Sequence, residues 1–322
     1  MTRTFTAQTL RAAQRPTFYF VGVTTGQSSI RRVFPAWAEA LALGDVEMTG
    51  IDLPLHAPDE DYRAVVEFLA RDPLSLGALV TTHKIDLFRA ASDLFDEVDP
   101  LAALMGELSC IAKREGRIIA SAKDPYSAGH ALEALLPDQH FARNPQAEVF
   151  LMGAGGSAIA IDWYLTRPER GVNRPATVVV SNRSQGRLDA LKEIHERAGD
   201  HRPLRTVLAS DARSNDAILR ELPEGSLVVN ATGLGKDAPG SPLTDDAVFP
   251  NGAAVWELNY RGDLVFLDQA RRQADERGLR VVDGWVYFLH GWTQVIGDVF
   301  DVDIPTRGPA FEQLSQIAAG FR

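Results

Sequence analysis

The chain has 322 residues, 45% of them hydrophobic and 24% charged, with a formal net charge of −10. That length suits two domains and the composition supplies two cores, while the acidic balance argues against nucleic-acid or anionic-membrane partners, which need a basic face. The one cysteine, Cys110, rules out an intramolecular disulfide and a cysteine-rich metal site and points to the cytoplasm.

Residues 1–16 are polar and end at Pro16, which predicts a surface arm or short helix. Thr17–Val23 reads as a buried strand, the stretch near Arg32–Leu43 as a helix and Val46–Leu53 as a strand. Asp59–Arg71 reads as a helix with acidic residues favourably placed in its first turn. Gly77–Thr82 is a third strand and His83–Ala91 a third helix. Glu107–Lys113 and Arg117–Ser121 flank Glu115-Gly116, a hairpin signal. The helix over Asp124–Leu136 has Asp124 as N-cap and Pro125 at its first position.

A second alternating series opens with strand Glu148–Met152 and helix Gly155–Leu165. Strand Ala176–Ser181, helix Gln185–Arg197, strand Leu204–Ala209, helix Ala212–Leu222 and strand Ser226–Asn230 follow. Then come strand Ala253–Leu258, helix Leu264–Arg277, strand Leu279–Val282 and helices near Trp285–Phe300 and Pro309–Phe321. Such alternation implies βαβ units and mostly parallel sheets. No stretch approaches the roughly 18 apolar residues of a membrane span, and no His/Cys/carboxylate cluster has metal-ligand spacing.

Gly153-Ala154-Gly155-Gly156-Ser157-Ala158 lies between a predicted strand and a predicted helix. Gly153 permits a tight turn, Gly155 lets backbone approach a pyrophosphate, and Ala158 allows close helix–strand packing. A glycine-rich turn without a cofactor is the competing reading. The next strand ends in Asn182-Arg183-Ser184-Gln185-Gly186-Arg187. An NAD site usually carries a carboxylate there. Two arginines instead, with Asn182 and Ser184 as donors, suit a 2′-phosphate and favour NADP. Alternatively, Arg183 only stacks on adenine and Arg187 is a solvated helix residue.

Together with Val80-Thr81-Thr82-His83-Lys84, the stretch from Gly106–Cys110 to Asp124, and Asn230-Ala231-Thr232-Gly233-Leu234-Gly235, these segments resemble the shikimate dehydrogenase family. Tyr260 and the Asp283-Gly284 turn add a weaker match. The resemblance implies an α/β chain of two domains with the active site in the cleft between them. Residues 1–130 would form the substrate domain, with helices in about 286–322 packing back on it. Residues 131–285 would form a doubly wound, Rossmann-type NADP domain. It further implies reversible hydride transfer between NADP(H) and a cyclic hydroxy acid, within aromatic amino-acid biosynthesis.

By the same resemblance Lys84 and Asp124 are the catalytic pair, and Ser29, Thr81, Ser109 and Tyr260 contact substrate. Gly153–Ser157, Asn182, Arg183, Ser184, Arg187, Ala231, Thr232 and Gly284 contact the cofactor. Taken alone, Lys84 reads as a surface lysine at a helix start, Asp124 as a cap and Tyr260 as a core or rim residue. Chemically, a partly buried lysine can take an alcohol's proton while a carboxylate orients the same hydroxyl.

The chain departs from the family's pattern at several substrate ligands. The family's S-x-S-P reads Gln27-Ser28-Ser29-Ile30, with Arg31 and Arg32 as further candidates for a carboxylate or as solvated helix residues. Its N-T-D reads Ala122-Lys123-Asp124, an earlier N-T pair reads Ser109-Cys110, and its late glutamine aligns with Gly291, with Gln294 and His290 as possible replacements. Losing buried hydrogen-bond partners changes discrimination strongly, so the expected substrate is a relative of shikimate such as quinate or a modified analogue. The competing class is a weakly active NADP(H)-binding sensor on the same fold. The expected protein is a monomer or homodimer.

Overall fold

The computed structural model describes residues 4–199, 202–236 and 238–322. The chain divides into two units. One takes the chain up to Lys123 and again from Gly291 to Arg322, and the other runs from Asp124 to His290.

The first unit contains β1 (Thr4–Phe5), β2 (Thr17–Gly22), α1 (Ile30–Ala40), β3 (Glu47–Asp52), α2 (Asp59–Arg71), β4 (Ser75–Val80), α3 (Lys84–Ala91), β5 (Glu97–Val98), α4 (Pro100–Met105), β6 (Cys110–Arg114) and β7 (Arg117–Ser121). Its sheet order is β1-β3-β2-β4-β6-β7-β5. The strands β1 to β4 run parallel, and β6 runs antiparallel to both neighbours. β2 is buried at every position, as a strand covered on both faces must be. Tyr19 and Val21 join the core shared with Val65, Leu69 and Leu87 of α2 and α3. Phe18 and Phe20 face the other way and meet Trp292 with ring centroids 6.3 and 4.8 Å away. Glu115 and Gly116 both have positive φ, 51° and 79°, which is the I′ geometry that a two-residue hairpin needs.

The predicted N-terminal arm is partly a strand. Thr4 and Phe5 pair with Gly50 and Ile51 at the edge of the sheet, where Phe5 gains burial. Residues 1–3 lie outside the described residues.

The second unit contains α5 (Asp124–Leu135), α6 (His140–Arg143), β8 (Val149–Met152), α7 (Gly156–Thr166), β9 (Val178–Asn182), α8 (Gln185–Arg197), β10 (Leu204–Leu208), α9 (Ala212–Glu221), β11 (Leu227–Asn230), β12 (Ala254–Glu257), α10 (Val265–Arg271), α11 (Ala274–Arg277) and β13 (Arg280–Val282). α12 (Trp285–Phe300) begins in this unit and ends in the first, to which α13 (Pro309–Ala319) also belongs. The sheet order is β10-β9-β8-β11-β12-β13 and every pair is parallel. That is the doubly wound order, with its reversal point between β8 and β11.

The predicted helix Leu264–Arg277 is broken into α10 and α11. Gln273, at the break, is held by the loop beneath it: its Oε1 accepts from Phe249 N–H at 3.2 Å and its Nε2 donates to Ala247 O at 2.8 Å. α13 is fixed to α1 by the Trp37 indole, which donates to Leu314 O at 2.8 Å.

Candidate functional site

In the second unit the glycine loop leaves β8 at the reversal point of the sheet, where ligands bind in such folds. Gly153 has φ +107°, and a Cβ there would lie 2.6 Å from Ala231 O. So the turn requires glycine both for its torsion and for its approach to the exit of β11. Gly155 precedes α7 as its N-cap, and a Cβ on it would meet nothing within 4 Å. Ala154 and Ala158 are buried. The N–H groups of Gly156, Ser157 and Ala158 lead an α7 that carries no side-chain cap, an arrangement suited to a diphosphate.

Asn182 closes β9, and its Nδ2 donates to Ser184 O at 3.3 Å. Arg183, Ser184 and Arg187 are exposed around the start of α8. Among the described residues neither arginine forms an ion pair, and the nearest following carboxylate, Asp189, accepts from Gln185 at 2.8 Å.

The exit of β11 is organised by a carboxylate that sequence reasoning missed. Glu257, at the end of β12, is fully buried. It accepts from Asn230 Nδ2 at 2.6 Å, and from the N–H and Nδ2 of Asn259 at 2.8 and 2.7 Å. Asn230 Oδ1 in turn accepts from the N–H and hydroxyl of Thr232 at 3.1 and 2.7 Å. Burial pushes the Glu257 carboxyl up to about 7, against the pull of those donors and of Lys236. Its signal in the sequence is a lone carboxylate in an otherwise apolar strand. Ala231 and Thr232 are thereby held beside Gly153, and Ala231 N–H donates to Met152 O at 2.8 Å.

Gly284 also sits where only glycine fits, since a Cβ would lie 1.9 Å from Leu258 O. Asp283 then caps α12 by accepting from Trp285 N–H at 3.0 Å. Tyr260 is half-buried and packs on Trp285 and Phe288, with centroids 5.5 and 4.6 Å away.

Asp124 is the first residue of α5 rather than the residue before it, and it is buried. The Tyr287 hydroxyl of α12 lies 3.4 Å from Asp124 Oδ2 and 3.3 Å from Ser157 Oγ. Tyr287 was also missed, because it lies in an aromatic run that reads as an apolar helix face.

In the first unit Lys84 opens α3, half-buried, directly after β4 and its exit turn. Thr81 is half-buried and its N–H donates to Val21 O at 2.9 Å. Thr82 has φ 61°, a torsion uncommon for a β-branched residue. His83 is buried and pinned: its Nδ1 faces Tyr62 Oη at 3.2 Å and its Nε2 faces Leu53 O at 3.1 Å. Burial lowers its pKa, outweighing the nearby carbonyls, so the ring is a neutral anchor with Nε2–H donating to Leu53 O.

Ser29 is half-buried at the N-cap of α1, without a side-chain cap bond. Arg31 is buried rather than solvated, and its Nη1 donates to Met48 O at 3.3 Å. Arg32 donates to Phe321 O at 2.8 Å. Ser109 is buried and its Oγ accepts from Lys123 N–H at 2.7 Å, so its lone pairs are partly committed to the backbone. Asp298 collects Ser121 Oγ at 2.8 Å, Arg114 Nη2 at 2.7 Å and Lys123 Nζ at 2.7 Å. Burial opposes its charge, but those donors together hold its pKa down. The residue in the family's threonine position, Lys123, is thus tied to α12. Gln294 and Asp298 line one cavity of about 230 Å³ with Arg114 and Lys123. His290 is buried on the preceding part of α12.

No helix among the described residues is long and apolar enough to cross a membrane. No protein-family model matches the chain. A shikimate dehydrogenase (NADP(+)) of Sinorhizobium fredii is 30% identical over 215 residues, 66% of this chain; the chain spans 65% of that relative, a little under two thirds of its length. Among solved structures, quinate dehydrogenase from Corynebacterium glutamicum in complex with NAD superposes with a TM-score of 0.70 at 19% identity, covering 95% of this chain and 99% of that one. Shikimate 5-dehydrogenase from Thermus thermophilus in complex with NADP(H) and shikimate gives 0.67 at 23% identity, covering 95% and 99%. A shikimate dehydrogenase (NADP(+)) of Xanthomonas oryzae pv. oryzae is 30% identical over 230 residues, 70% of this chain and 73% of the relative. On that extent of likeness, the chain belongs to the shikimate dehydrogenase family.

Proposed function

We propose that the chain is an NADP-dependent oxidoreductase that moves a hydride reversibly between NADP(H) and a cyclic hydroxy acid. The observation that carries this reading is the pairing of a glycine turn at the reversal point with two exposed arginines, and no carboxylate, at the end of β9. The N–H groups of Gly156, Ser157 and Ala158 at the start of α7 would hold the diphosphate, with Gly153–Gly155 shaping the turn, and Arg183 and Arg187, aided by Asn182 and Ser184, would hold the 2′-phosphate. Ala231, Thr232 and Gly284 would contact the cofactor beyond its phosphates. When bound, the nicotinamide accepts or supplies the hydride.

In the oxidising direction the carbinol C–H bond breaks as a hydride, the hydroxyl proton passes to Lys84, and a carbonyl forms. Asp124 orients the same hydroxyl. Ser29, Thr81 and Tyr260 contact the acid directly. Ser109 contributes through its hydroxyl proton and the strand exit it fixes. With Gln27, Ser109 and Gly291 in place of the family's ligands, the substrate is a relative of shikimate, quinate among the first to test, and the site discriminates by its changed hydroxyl partners.

The test is reduction of NADP⁺ and NAD⁺ by the purified protein with shikimate and with quinate, beside Lys84→Ala. Turnover with at least one acid, preference for NADP⁺ and a loss of roughly 10²–10⁴-fold in the variant are expected. Cofactor binding without turnover of any ring acid would overturn the dehydrogenase reading and leave a nucleotide-binding sensor.

A further inference from the structure

Three elements of the second unit converge on one phenol. Asp124 opens α5, Ser157 lies in the first turn of α7 and Tyr287 lies in the first turns of α12. The phenol oxygen is 3.4 Å from Asp124 Oδ2 and 3.3 Å from Ser157 Oγ. Its ring rests edge-on against the buried Trp256 of β12, with centroids 5.6 Å apart and an interplanar angle of 73°. A tyrosine hydroxyl has one proton to give. So the phenol donates to Asp124 Oδ2 or to Ser157 Oγ, one at a time, and stands between the two. The two contacts link the glycine loop to the carboxylate through the phenol. Distances above 3.2 Å are long for O–H···O, as is common at sites that tighten once loaded.

Besides Asp124 and Tyr287, α5 carries Tyr126, His130 and Glu133, α12 carries His290 and Asp298, α7 carries Asp162 and Tyr164, and β12 carries Glu257; the rings of His130 and His290 have centroids 5.3 Å apart. Burial, with His130 second, pushes His290 down to about 3, so its ring stays uncharged across the working range.

We propose that Tyr287 is a positioning residue for Asp124: its hydroxyl orients the carboxylate and links it, through Ser157, to the loop that takes the dinucleotide's phosphates. Nothing in the glycine-loop or lysine–aspartate patterns assigns this role. The inference rests on Asp124 acting on substrate as proposed above.

Tyr287→Phe keeps the ring on Trp256 and removes only the hydroxyl. With the full-length protein, kcat is expected to fall about 10-fold or more, while KM for the acid and the dinucleotide Kd stay within about two-fold. A carboxylate that loses a donor takes up a proton more readily, so the acid limb of the kcat profile should move up by about one pH unit. Ser157→Ala should lower kcat by a smaller factor, and that factor should vanish in the Tyr287→Phe background because both act through one chain.

A kcat within two-fold of wild type with an unmoved acid limb would overturn the proposal. If the wild-type protein oxidises no ring acid, the dehydrogenase reading fails instead, and the positioning role is then read without turnover. With ¹³C-labelled aspartate, the Asp124 carboxyl signal, assigned by its loss in Asp124→Asn, should titrate at higher pH in Tyr287→Phe. An unchanged midpoint would overturn the role on that measurement alone.

Discussion

Glu257 carries a consequence for stability through its proton. Burial raises its carboxyl to about 7 in the folded protein, against about 4.3 in an unfolded chain. Between those values the folded state holds a proton that the unfolded chain has released. Its contribution is therefore fully present below the unfolded value and is lost as pH rises through 7, on the order of 4 kcal/mol at most. Glu257→Gln cannot ionise, but it turns an amide toward Asn230 Nδ2, which Glu257 Oε2 accepts from at 2.6 Å, at a cost of about 1–3 kcal/mol. Wild type should be more stable than the variant at pH 5, and the gap in urea midpoints should narrow toward pH 8. A constant gap across that range would mean that Glu257 is ionised throughout.

Between elements, the contact of α5 with α7 turns on one missing side chain. A Cβ on Gly129 would lie 2.0 Å from the Tyr164 ring, and the Tyr164 hydroxyl bonds Glu133 on the next turn of α5. Gly129→Ala must displace that ring, so a loss of about 1–3 kcal/mol is expected, read as a lower urea midpoint with an unchanged slope. An unmoved midpoint would show that α5 can shift without cost. The same contact explains why α5 belongs wholly to the second unit, which begins at Asp124. α4 could have been read. Asp99 accepts from the N–H groups of Leu101 and Ala102, Pro100 follows it, and Gly106 closes the helix with φ 64°, which is an ordinary start and stop pattern.

For the molecule as a whole, the two units differ in how the chain builds them. The second is one continuous stretch, Asp124–His290, whereas the first needs the chain to return at Gly291. The returning segment supplies Trp292 and Phe300 against Phe18, with centroids 6.3 and 5.6 Å away, and Leu314 O to Trp37. A chain ending at His290 should therefore lose the first unit, exposing the Phe18 and Phe20 face of its sheet, while the second keeps a cooperative melt. Dye binding to exposed apolar surface and scanning calorimetry would read this. A truncated chain that melts like the full-length protein would show the tail to be dispensable.

By itself the sequence determined the βαβ alternation, the parallel sheets and the glycine turn, because each is written in local periodicity and in residues with special torsions, Gly153 above all. The arginines after β9 were legible for the same reason: they lie within a few residues of the strand end. Glu257, Tyr287 and the burial of Arg31 were not. Each takes its meaning from partners far along the chain, as Tyr287 does from Asp124 and Ser157. Only the tertiary structure decides which distant donors a buried polar group meets, because hydrogen bonding and desolvation depend on proximity in space and leave no period in the sequence.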